Sequence, residues 1–290
     1  MEVKSQIEEQ AIAANKAARV LANVSTKVKN DALKAMAEAL CLCKNYILEE
    51  NRADMESGRQ NGMSESMLDR LMLTEGRIEG MAIGLRQVAE LADPVGEVIA
   101  GRQLANGLNL TKIRVPLGVI AIIYEARPNV TADAIGLCLK SGNAVILKGG
   151  SEAIRSNKAI AGVLTEAAEN AGIPKAALQF IDSVDRAAVQ ELIRMDRYVD
   201  VVIPRGGAGL IKMVVQNSSV PVIQTGVGVC HTFVDENADL VMAREIAFNA
   251  KVSRPAVCNA METLLVHEKI AAEFLPAMLK RYFDVWKNHR

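Results

Sequence analysis

The sequence has no excess of either charge and few aromatic side chains. Its 34 Lys and Arg residues are balanced by 34 Asp and Glu residues, and Phe, Trp and Tyr make up 3% of the 290 residues. Nucleic-acid-binding proteins usually carry a basic patch, often with aromatic side chains on which bases stack. Anionic membrane surfaces likewise attract basic proteins. We therefore expect neither a nucleic acid nor a membrane as partner.

Cysteine is scarce, and long apolar runs are missing. Five cysteines are an odd number, which favours reduced thiols and a cytoplasmic location over a disulfide framework. Residues 1–5 are charged and lead into a helical pattern with no apolar h-region, so no signal peptide is predicted. No apolar run approaches the roughly 20 residues that span a bilayer. No cysteine or histidine spacing matches a metal site, so none is predicted.

Apolar residues, in contrast, are plentiful, and they follow two different sequence patterns. They make up 50% of the chain, which is enough for a large core. Helical periodicity dominates roughly the first ninety residues, for example in a stripe from residue 33 to residue 47. From residue 115 onward, short apolar runs alternate with helical patterns. The runs are at 118–124, 144–148, 178–181, 199–203 and 220–223.

This alternation predicts an α/β fold built on a doubly wound parallel sheet. The first two runs are apolar throughout, as in strands buried on both faces, and strand–helix–strand units place their strands in parallel. In such sheets ligands bind beyond the carboxyl ends of the strands. We expect a boundary that separates a larger domain, 1–225, from a smaller unit, 226–290. The smaller unit is predicted to have strands at 229–234 and 261–266.

Two glycine turns follow predicted strands on the expected ligand side of the sheet. The turn Arg205-Gly206-Gly207 follows the strand at 199–203. Its glycines allow close approach of the backbone, and the next helix begins with unpaired N–H groups that suit a phosphate. The turn lacks the Gly-x-Gly-x-x-Gly fingerprint. A plain tight turn is the alternative, but the arginine favours an anionic ligand.

The second turn, Lys148-Gly149-Gly150-Ser151, ends the strand at 144–148. Lys148 is placed to meet a ribose hydroxyl or its 2′-phosphate. The alternative is a solvated lysine at the end of a strand. The presence of the other glycine turn favours the ligand interpretation, because both turns are expected at the same edge of the sheet.

The segment after the first buried strand carries two polar candidates. Arg127 has the forked guanidinium that binds carboxylates and phosphates. Asn129 either donates to an oxyanion formed during a reaction or caps the helix that begins near Thr131. The residues alone favour the cap. In the alternative interpretation of this segment, Glu125 and Arg127 are surface charges.

The most reactive candidate is Cys258. A helical pattern ends before it, Pro255 breaks the backbone, and the cysteine lies in a short turn ahead of an apolar strand. Lys251 and Arg254 are close in sequence, and positive charge favours the nucleophilic thiolate. The alternative is a buried core cysteine, the commonest state of a free thiol. On residues alone the two interpretations are evenly matched.

The other four cysteines are weaker candidates. Cys41 and Cys43 lie two apart on a predicted helix and so point to different faces. Cys138 falls on an apolar helix and is predicted to be core. Cys230 precedes His231, but adjacent strand residues point to opposite faces, so the two are not expected to interact.

Taken together, these motifs resemble the gamma-glutamyl phosphate reductases, also called glutamate-5-semialdehyde dehydrogenases, of the aldehyde dehydrogenase superfamily. The matching runs are 113–120, 124–131, 147–153, 203–207 and 254–263. The resemblance extends from the N-terminal helices to the last residue and is specific to this family. It implies an aldehyde dehydrogenase-like fold in which residues 1–225 bind NADP(H) and residues 226–290 form part of the catalytic domain.

The resemblance also implies a reaction in proline biosynthesis. NADPH reduces L-glutamate 5-phosphate to L-glutamate 5-semialdehyde with release of phosphate, and Cys258 is the nucleophile that forms a thioester. The resemblance also assigns two regions to the cofactor, with Lys148, Gly149 and Ser151 in one and Arg205, Gly206 and Gly207 in the other. The chemistry itself requires donors for an oxyanion, and the candidates are the Cys258 backbone N–H and a nearby amide such as Asn129 or Asn259. Arg127 and Arg254 are expected at the substrate.

Two departures from related sequences bear on these expectations. Hydrolytic aldehyde dehydrogenases have a glutamate base in a Glu-Leu-Gly-Gly segment, whereas the matching stretch here, 224–228, is Gln-Thr-Gly-Val-Gly. Without a carboxylate to activate water, a thioester survives until hydride arrives. The chain ends at Arg290, short of the usual family length, so we expect the sheet of the smaller unit to expose apolar edges.

Alternatives to this function stay open. One is another acyl-transferring aldehyde dehydrogenase, acting on a coenzyme A thioester or a different acyl phosphate. A second is a shortened chain that binds cofactor or a partner without catalysis. A homo-oligomer and a functional link to glutamate 5-kinase are further expectations from the resemblance.

Overall fold

The computed structural model describes residues 2–185, 187–224, 226, 228–255 and 257–288. The chain divides into two units, 1–225 and 226–290. Each unit has a hydrophobic core of its own.

The larger unit begins with five helices. They are α1 (Glu2–Leu21), α2 (Thr26–Leu42), α3 (Lys44–Gln60), α4 (Glu65–Leu71) and α5 (Glu75–Glu90). The apolar stripe at 33–47 is buried as predicted, but one continuous helix was the wrong expectation, because Cys43 lies at a joint between α2 and α3. Leu40 and Ile47 are buried on either side of the joint, so the helical spacing continues across it and conceals the break.

A β-hairpin connects these helices to the sheet. Strands β1 (Val98–Gln103) and β2 (Asn109–Ile113) pair in antiparallel fashion. Every residue of both strands is exposed, so within the larger unit the hairpin stands away from the core.

The central sheet confirms the predicted doubly wound α/β architecture. Its strands are β3 (Val119–Tyr124), β4 (Ala144–Gly149), β5 (Leu178–Phe180) and β6 (Val201–Arg205), all parallel in the order β5-β4-β3-β6. The crossovers contain α6 (Asn129–Lys140), a 3₁₀ turn (Ser151–Ala153) that leads into α7 (Ile154–Asn170), and α8 (Ala187–Leu192). Helix α9 (Ala208–Asn217) follows β6.

The sheet is buried on both faces, as the apolar runs predicted. Alternate residues of β3 enter different cores: Ile120 and Ile122 lie in one cluster, and Val119 and Ala121 in the other. The apolar run at 220–223 adds only a single bridge, between Val202 and Val222, to this sheet. Pro221, in the middle of that run, has no N–H to donate to a ladder.

The smaller unit has two strands and two helices among the residues described. Strands β7 (Cys230–Val234) and β8 (Met261–Val266) are parallel, and α10 (Leu240–Val252) and α11 (Glu268–Asn288) pack beside them. Both strands fall where the sequence predicted them. The buried centre of this core is small, and it consists of Val234, Ala247, Phe274 and Met278.

The part of the chain that the structure describes contains neither a membrane-spanning helix nor a cluster of metal-ligating side chains. No helix there combines the length and apolar character needed to cross a membrane. Nor do three or more His, Cys, Asp or Glu side chains of those residues come together in a way that would hold a metal ion.

Candidate active site

The strand order identifies the edge of the sheet where a ligand is expected. Strand β3 pairs with β4 on one side and with β6 on the other, so the strand order reverses between β3 and β6 although all four strands run in parallel. Tyr124, at the carboxyl end of β3, is in register with Gly149 and with Arg205. The loops that follow three strands, and with them both glycine turns, therefore meet at one edge.

The Gly206-Gly207 turn is closed by the carboxylate of Glu125, which is exposed, as the alternative interpretation expected. The backbone N–H of Gly207 donates to Oε2 of Glu125 over 2.8 Å. A Cβ on Gly206 would lie 2.6 Å from the same carboxyl group, so a larger residue would displace it. Gly207 precedes α9 as its N-cap. The amide that the sequence assigned to a phosphate is thus present at the helix N-terminus, with Glu125 as its anionic partner.

Lys148 is not the solvated lysine of the alternative interpretation. Its residue is 5% exposed, and its ammonium donates to the carbonyl oxygen of Gly149 over 2.6 Å. Burial lowers the pKa of Lys148, and the nearby charge of Glu152 opposes that shift. A buried cation at the carboxyl edge of the sheet is costly unless it meets an anion.

The backbone around Lys148 is held close to its neighbours. A Cβ on Gly149 would collide with the side-chain amide of Asn157, and a Cβ on Gly150 would collide with the carboxylate of Glu152. That carboxylate accepts a hydrogen bond from the Ala126 N–H over 2.6 Å. Ser151 is exposed at the start of the 3₁₀ turn. This turn needs glycine for close packing.

A buried polar network beneath this edge was missed by the sequence analysis. The Tyr124 hydroxyl and Oγ1 of Thr131 are 2.7 Å apart, and Thr131 donates to Oδ1 of Asn157 over 3.2 Å. Burial raises the pKa of Tyr124. The network joins β3, α6 and α7 below Gly149. Its only sequence signal was polar residues on otherwise apolar faces of helices.

Arg127 and Asn129 lie in the loop after β3 and at the start of α6. Arg127 is half-buried. The capping interpretation of Asn129 is wrong, because Pro128 is the N-cap and Asn129 is the first helical residue. Its side-chain amide donates to Asp133 over 3.3 Å. Burial raises the pKa of Asp133, and this hydrogen bond opposes the shift. Asn129 is exposed and so presents a donor at the surface.

In the smaller unit, Cys258 is exposed, so the buried-core interpretation is wrong. It lies in the turn between α10 and β8, and Arg254 and Asn259 in the same turn are also exposed. The ammonium of Lys251 donates to the carbonyl oxygen of Met261 over 3.0 Å, which joins the end of α10 to the start of β8. The thiol of Cys230 donates to the carbonyl oxygen of Cys258 over 3.4 Å.

The remaining cysteines behave differently from Cys258. Cys138 is buried, as predicted, and burial raises its pKa to about 12. Burial also raises the pKa of Cys41, whose thiol lies 3.2 Å from a carboxylate oxygen of Glu79. His231, the residue after Cys230, has a ring nitrogen 2.8 Å from the carbonyl oxygen of Val229. A thiol as acidic as a nucleophile requires is therefore not expected at Cys138 or Cys41.

The chain resembles known proteins over almost its whole length. The model of the aldehyde dehydrogenase family matches residues 2–287. A gamma-glutamyl phosphate reductase of Halothermothrix orenii is 57% identical over 97% of this chain and 68% of its own, and one of Clostridium novyi is 57% identical over 97% and 67%. The crystal structure of a gamma-glutamyl phosphate reductase from Thermotoga maritima superposes with a TM-score of 0.86, at 49% identity, over 95% of this chain and 66% of that one.

The parallel sheet with its glycine turns and the exposed cysteine thus belong to a defined class: the chain is a member of the aldehyde dehydrogenase family, whose oxidoreductases use a nicotinamide cofactor. Within that family it belongs to the gamma-glutamyl phosphate reductases. The chain spans about two thirds of the length of these relatives.

Proposed function

We propose that the chain acts in the NADPH-dependent reduction of L-glutamate 5-phosphate to L-glutamate 5-semialdehyde and phosphate, a step of proline biosynthesis. The observation that carries the proposal is the exposed Cys258, placed in the turn between α10 and β8. A buried thiol would have no access to an acyl phosphate. The names and identities of the relatives support the same reaction.

The residues at the carboxyl edge of the sheet fit a dinucleotide phosphate cofactor. Gly149 and Gly206 stand where a Cβ would crowd the edge, and the Gly207 N–H faces an anion at the start of α9. The cations of Lys148 and Arg205 favour NADPH over NADH, because the 2′-phosphate of NADPH adds negative charge. Ser151 completes the proposed contact set. The bound nicotinamide would supply hydride.

Cys258 carries the covalent chemistry in this proposal. Its thiolate attacks the acyl carbon of the substrate, a C–S bond forms, and phosphate leaves with the electrons of the C–O bond that breaks. Hydride converts the resulting thioester to a hemithioacetal. The C–S bond then breaks, the aldehyde departs and the thiolate is restored.

The tetrahedral oxyanions in these steps need hydrogen-bond donors. The proposed donors are the Cys258 backbone N–H and the side-chain amides of Asn129 and Asn259. Arg127 and Arg254 are proposed to bind the anionic groups of the substrate through their guanidinium forks. Of the segment 224–228, residues 225 and 227 lie outside the described residues, and Gln224 is exposed. An amide there cannot act as the base that would hydrolyse a thioester.

The test is NADPH oxidation with freshly prepared L-glutamate 5-phosphate. We expect turnover by this chain and a loss of about 10³-fold or more in Cys258→Ser, because the alcohol is a far poorer nucleophile. Cys43→Ser, in the helical part of the larger unit, is the matched control and should keep wild-type turnover. Undiminished activity in Cys258→Ser would refute the proposed nucleophile.

A substrate panel separates this function from the other acyl-transferring reaction. Turnover with an acyl-coenzyme A, and none with the acyl phosphate, would favour that alternative. The exposed side chains of Phe233 and Leu265 on the two-stranded parallel sheet favour a second candidate, a chain that binds cofactor or a partner without catalysis, because parallel sheets are usually covered on both faces. Cofactor binding by calorimetry without turnover would support it.

The expected partners follow from the same features. The exposed hairpin carries apolar side chains, Val98, Ile99 and Leu110 among them, which suits a homo-oligomer contact. A functional link to glutamate 5-kinase is proposed because acyl phosphates must be made by a phosphoryl transfer to the carboxylate. The reduced, odd set of cysteines supports a cytoplasmic location.

A further inference from the structure

The nucleophile candidate has a second thiol as a close neighbour, and the mechanism above makes no use of it. Cys230 and Cys258 are 28 residues apart in sequence, yet the sulfur of Cys230 is 3.4 Å from the carbonyl oxygen of Cys258. That oxygen and the Cys258 sulfur are four covalent bonds apart. The two sulfurs therefore lie within about 8 Å of each other in any rotamer of Cys258.

The backbone around the pair shows why the two residues meet. Cys230 begins β7 and is in register with Met261, the first residue of β8, three positions after Cys258. The chain just before Cys230 also approaches the turn, since a Cβ on Gly228 would lie 3.4 Å from the Cys258 carbonyl oxygen. The ladder between β7 and β8 shifts register after this first pair, because His231 pairs with Thr263 and leaves Glu262 on β8 as the extra residue.

We propose that Cys230 is a resolving thiol for Cys258: on exposure to a peroxide, the two form an intramolecular disulfide that protects the nucleophile from irreversible oxidation. The proposal rests on the proposed function only in taking Cys258 to be nucleophilic. It adds a reversible modification site, and that site can be tested without turnover.

The chemistry balances with hydrogen peroxide as the oxidant. The Cys258 thiolate attacks one peroxide oxygen, the O–O bond breaks, and the products are Cys258 sulfenic acid and hydroxide, which takes up a proton to give water. Sulfur is oxidised by two electrons and peroxide is reduced by two. The Cys230 sulfur then displaces the sulfenic oxygen, which leaves as water with the Cys230 proton, and an S–S bond forms.

The bond makes a geometric demand on the turn that carries Cys258. A disulfide requires Cβ atoms roughly 3.8 Å apart. Residues 253–255 and 257–260 contain neither helix nor strand, so the backbone there is free of ladder hydrogen bonds that would resist a small shift. Cys258 is exposed and Cys230 is half-buried, which lets peroxide reach the first thiol while the second is kept beside it.

Peptide mapping provides a direct test on the intact chain. Trypsin separates the two cysteines, because it cuts after Lys212, Arg244, Lys251 and Lys269 but not between Arg254 and Pro255. Peptides 213–244 and 252–269 then contain one cysteine each. After treatment with hydrogen peroxide, we expect these peptides to be joined, the thiol titre to fall from five to three per chain, and dithiothreitol to restore both thiols. The protein should keep monomer mobility on a non-reducing gel.

The variant Cys230→Ser distinguishes a resolving thiol from a bystander. In this variant we expect Cys258 to proceed to sulfinic and sulfonic acid, with loss of recovery by dithiothreitol. Cys43→Ser, also half-buried, should behave as the wild type. The proposal would be overturned if the wild type gave overoxidised Cys258 and no joined peptide. A disulfide to another cysteine, or one between two chains, would also overturn it. So would equal recovery by dithiothreitol in Cys230→Ser and in the wild type. Failure of the NADPH assay alone would leave these results unaffected and would count only against the proposed reaction.

Discussion

At the residue scale, the carboxylate of Glu125 accepts a hydrogen bond from a backbone N–H that is also proposed to bind the cofactor. The carboxylate lies 2.8 Å from the Gly207 N–H at the start of α9, where the helix dipole and unpaired amides favour an anion. The proposed pyrophosphate contact uses the same amide. In the proposed cofactor complex the carboxylate and the phosphate therefore compete for one donor.

Replacing Glu125 by glutamine should tighten NADPH binding. The amide keeps the size of the side chain but removes the charge that competes with the cofactor, and effects at helix N-termini are of the order of 0.3–1 kcal/mol, which corresponds to a few-fold decrease in Kd. Calorimetric titration of NADPH measures this. Glu97→Gln, which removes an exposed carboxylate paired with Arg114 beside the hairpin, should leave Kd unchanged. Weaker binding by Glu125→Gln would contradict the competition.

At the scale of elements, a buried ion pair ties α2 to the segment between α5 and β1. The ammonium of Lys29 lies 2.6 Å from Asp93, and the exposed fractions of the two side chains are 2% and 10%. Lys29 also donates to the carbonyl oxygen of Lys140 at the end of α6, and Thr26 donates to Asp93. Burial alone would raise the pKa of the Asp93 carboxyl group. The hydrogen bonds that Lys29 and Thr26 donate to this carboxylate outweigh burial, so its pKa is lowered.

Asp93→Asn should destabilise the larger unit by about 3 kcal/mol at neutral pH, because it leaves the buried Lys29 cation without its anion. Urea denaturation followed by circular dichroism measures the free energy of unfolding. Since folding lowers the pKa of Asp93, its contribution is present above the unfolded-state value of about 4 and is lost as pH falls through the folded-state value. The difference between variant and wild type should therefore shrink in acid.

The control for this prediction is Asp31→Asn, which removes the exposed Lys27–Asp31 pair on α2. Exposed pairs contribute little, so no measurable change is expected. A similar loss in both variants, or a difference for Asp93→Asn that grows in acid, would show that the buried pair is not the source of the stability.

At the scale of the whole molecule, the two units differ in the size of their cores. Among the described residues, the buried cluster of the smaller unit is small, whereas two extensive clusters cover both faces of the central sheet. Phe233 and Leu265, on the strands of the smaller unit, are 59% and 47% exposed. Apolar side chains on both of these strands are therefore exposed.

Amide hydrogen exchange should reveal this difference as unequal protection. We expect amides of β7 and β8 to exchange faster than those of β3 and β4, because opening the smaller unit exposes less apolar surface and so costs less free energy. Exchange followed by mass spectrometry measures both pairs of strands at once. The exposed β1 and β2 hairpin should also exchange rapidly, although it belongs to the larger unit. Equal protection of β3, β4, β7 and β8 would contradict the argument.

The sequence by itself determined the order and type of most elements and the location of the reactive candidates. Apolar runs specified β3 and β4 because each residue of a doubly covered strand is buried. Pro255 and the strand that follows placed Cys258 in a turn. The same local signals missed the joint at Cys43, where helical spacing continues through a break.

Only the tertiary structure decided which chain-distant groups meet. The Glu125 carboxylate and the Gly207 amide are 82 residues apart, and the Cys230 thiol and the Cys258 carbonyl are 28 apart. The spacing of apolar residues indicates whether a residue is buried, because burial depends on which face of its own helix or strand the residue occupies. Contacts between elements depend instead on the register and order in which strands pair, and no local pattern carries that information.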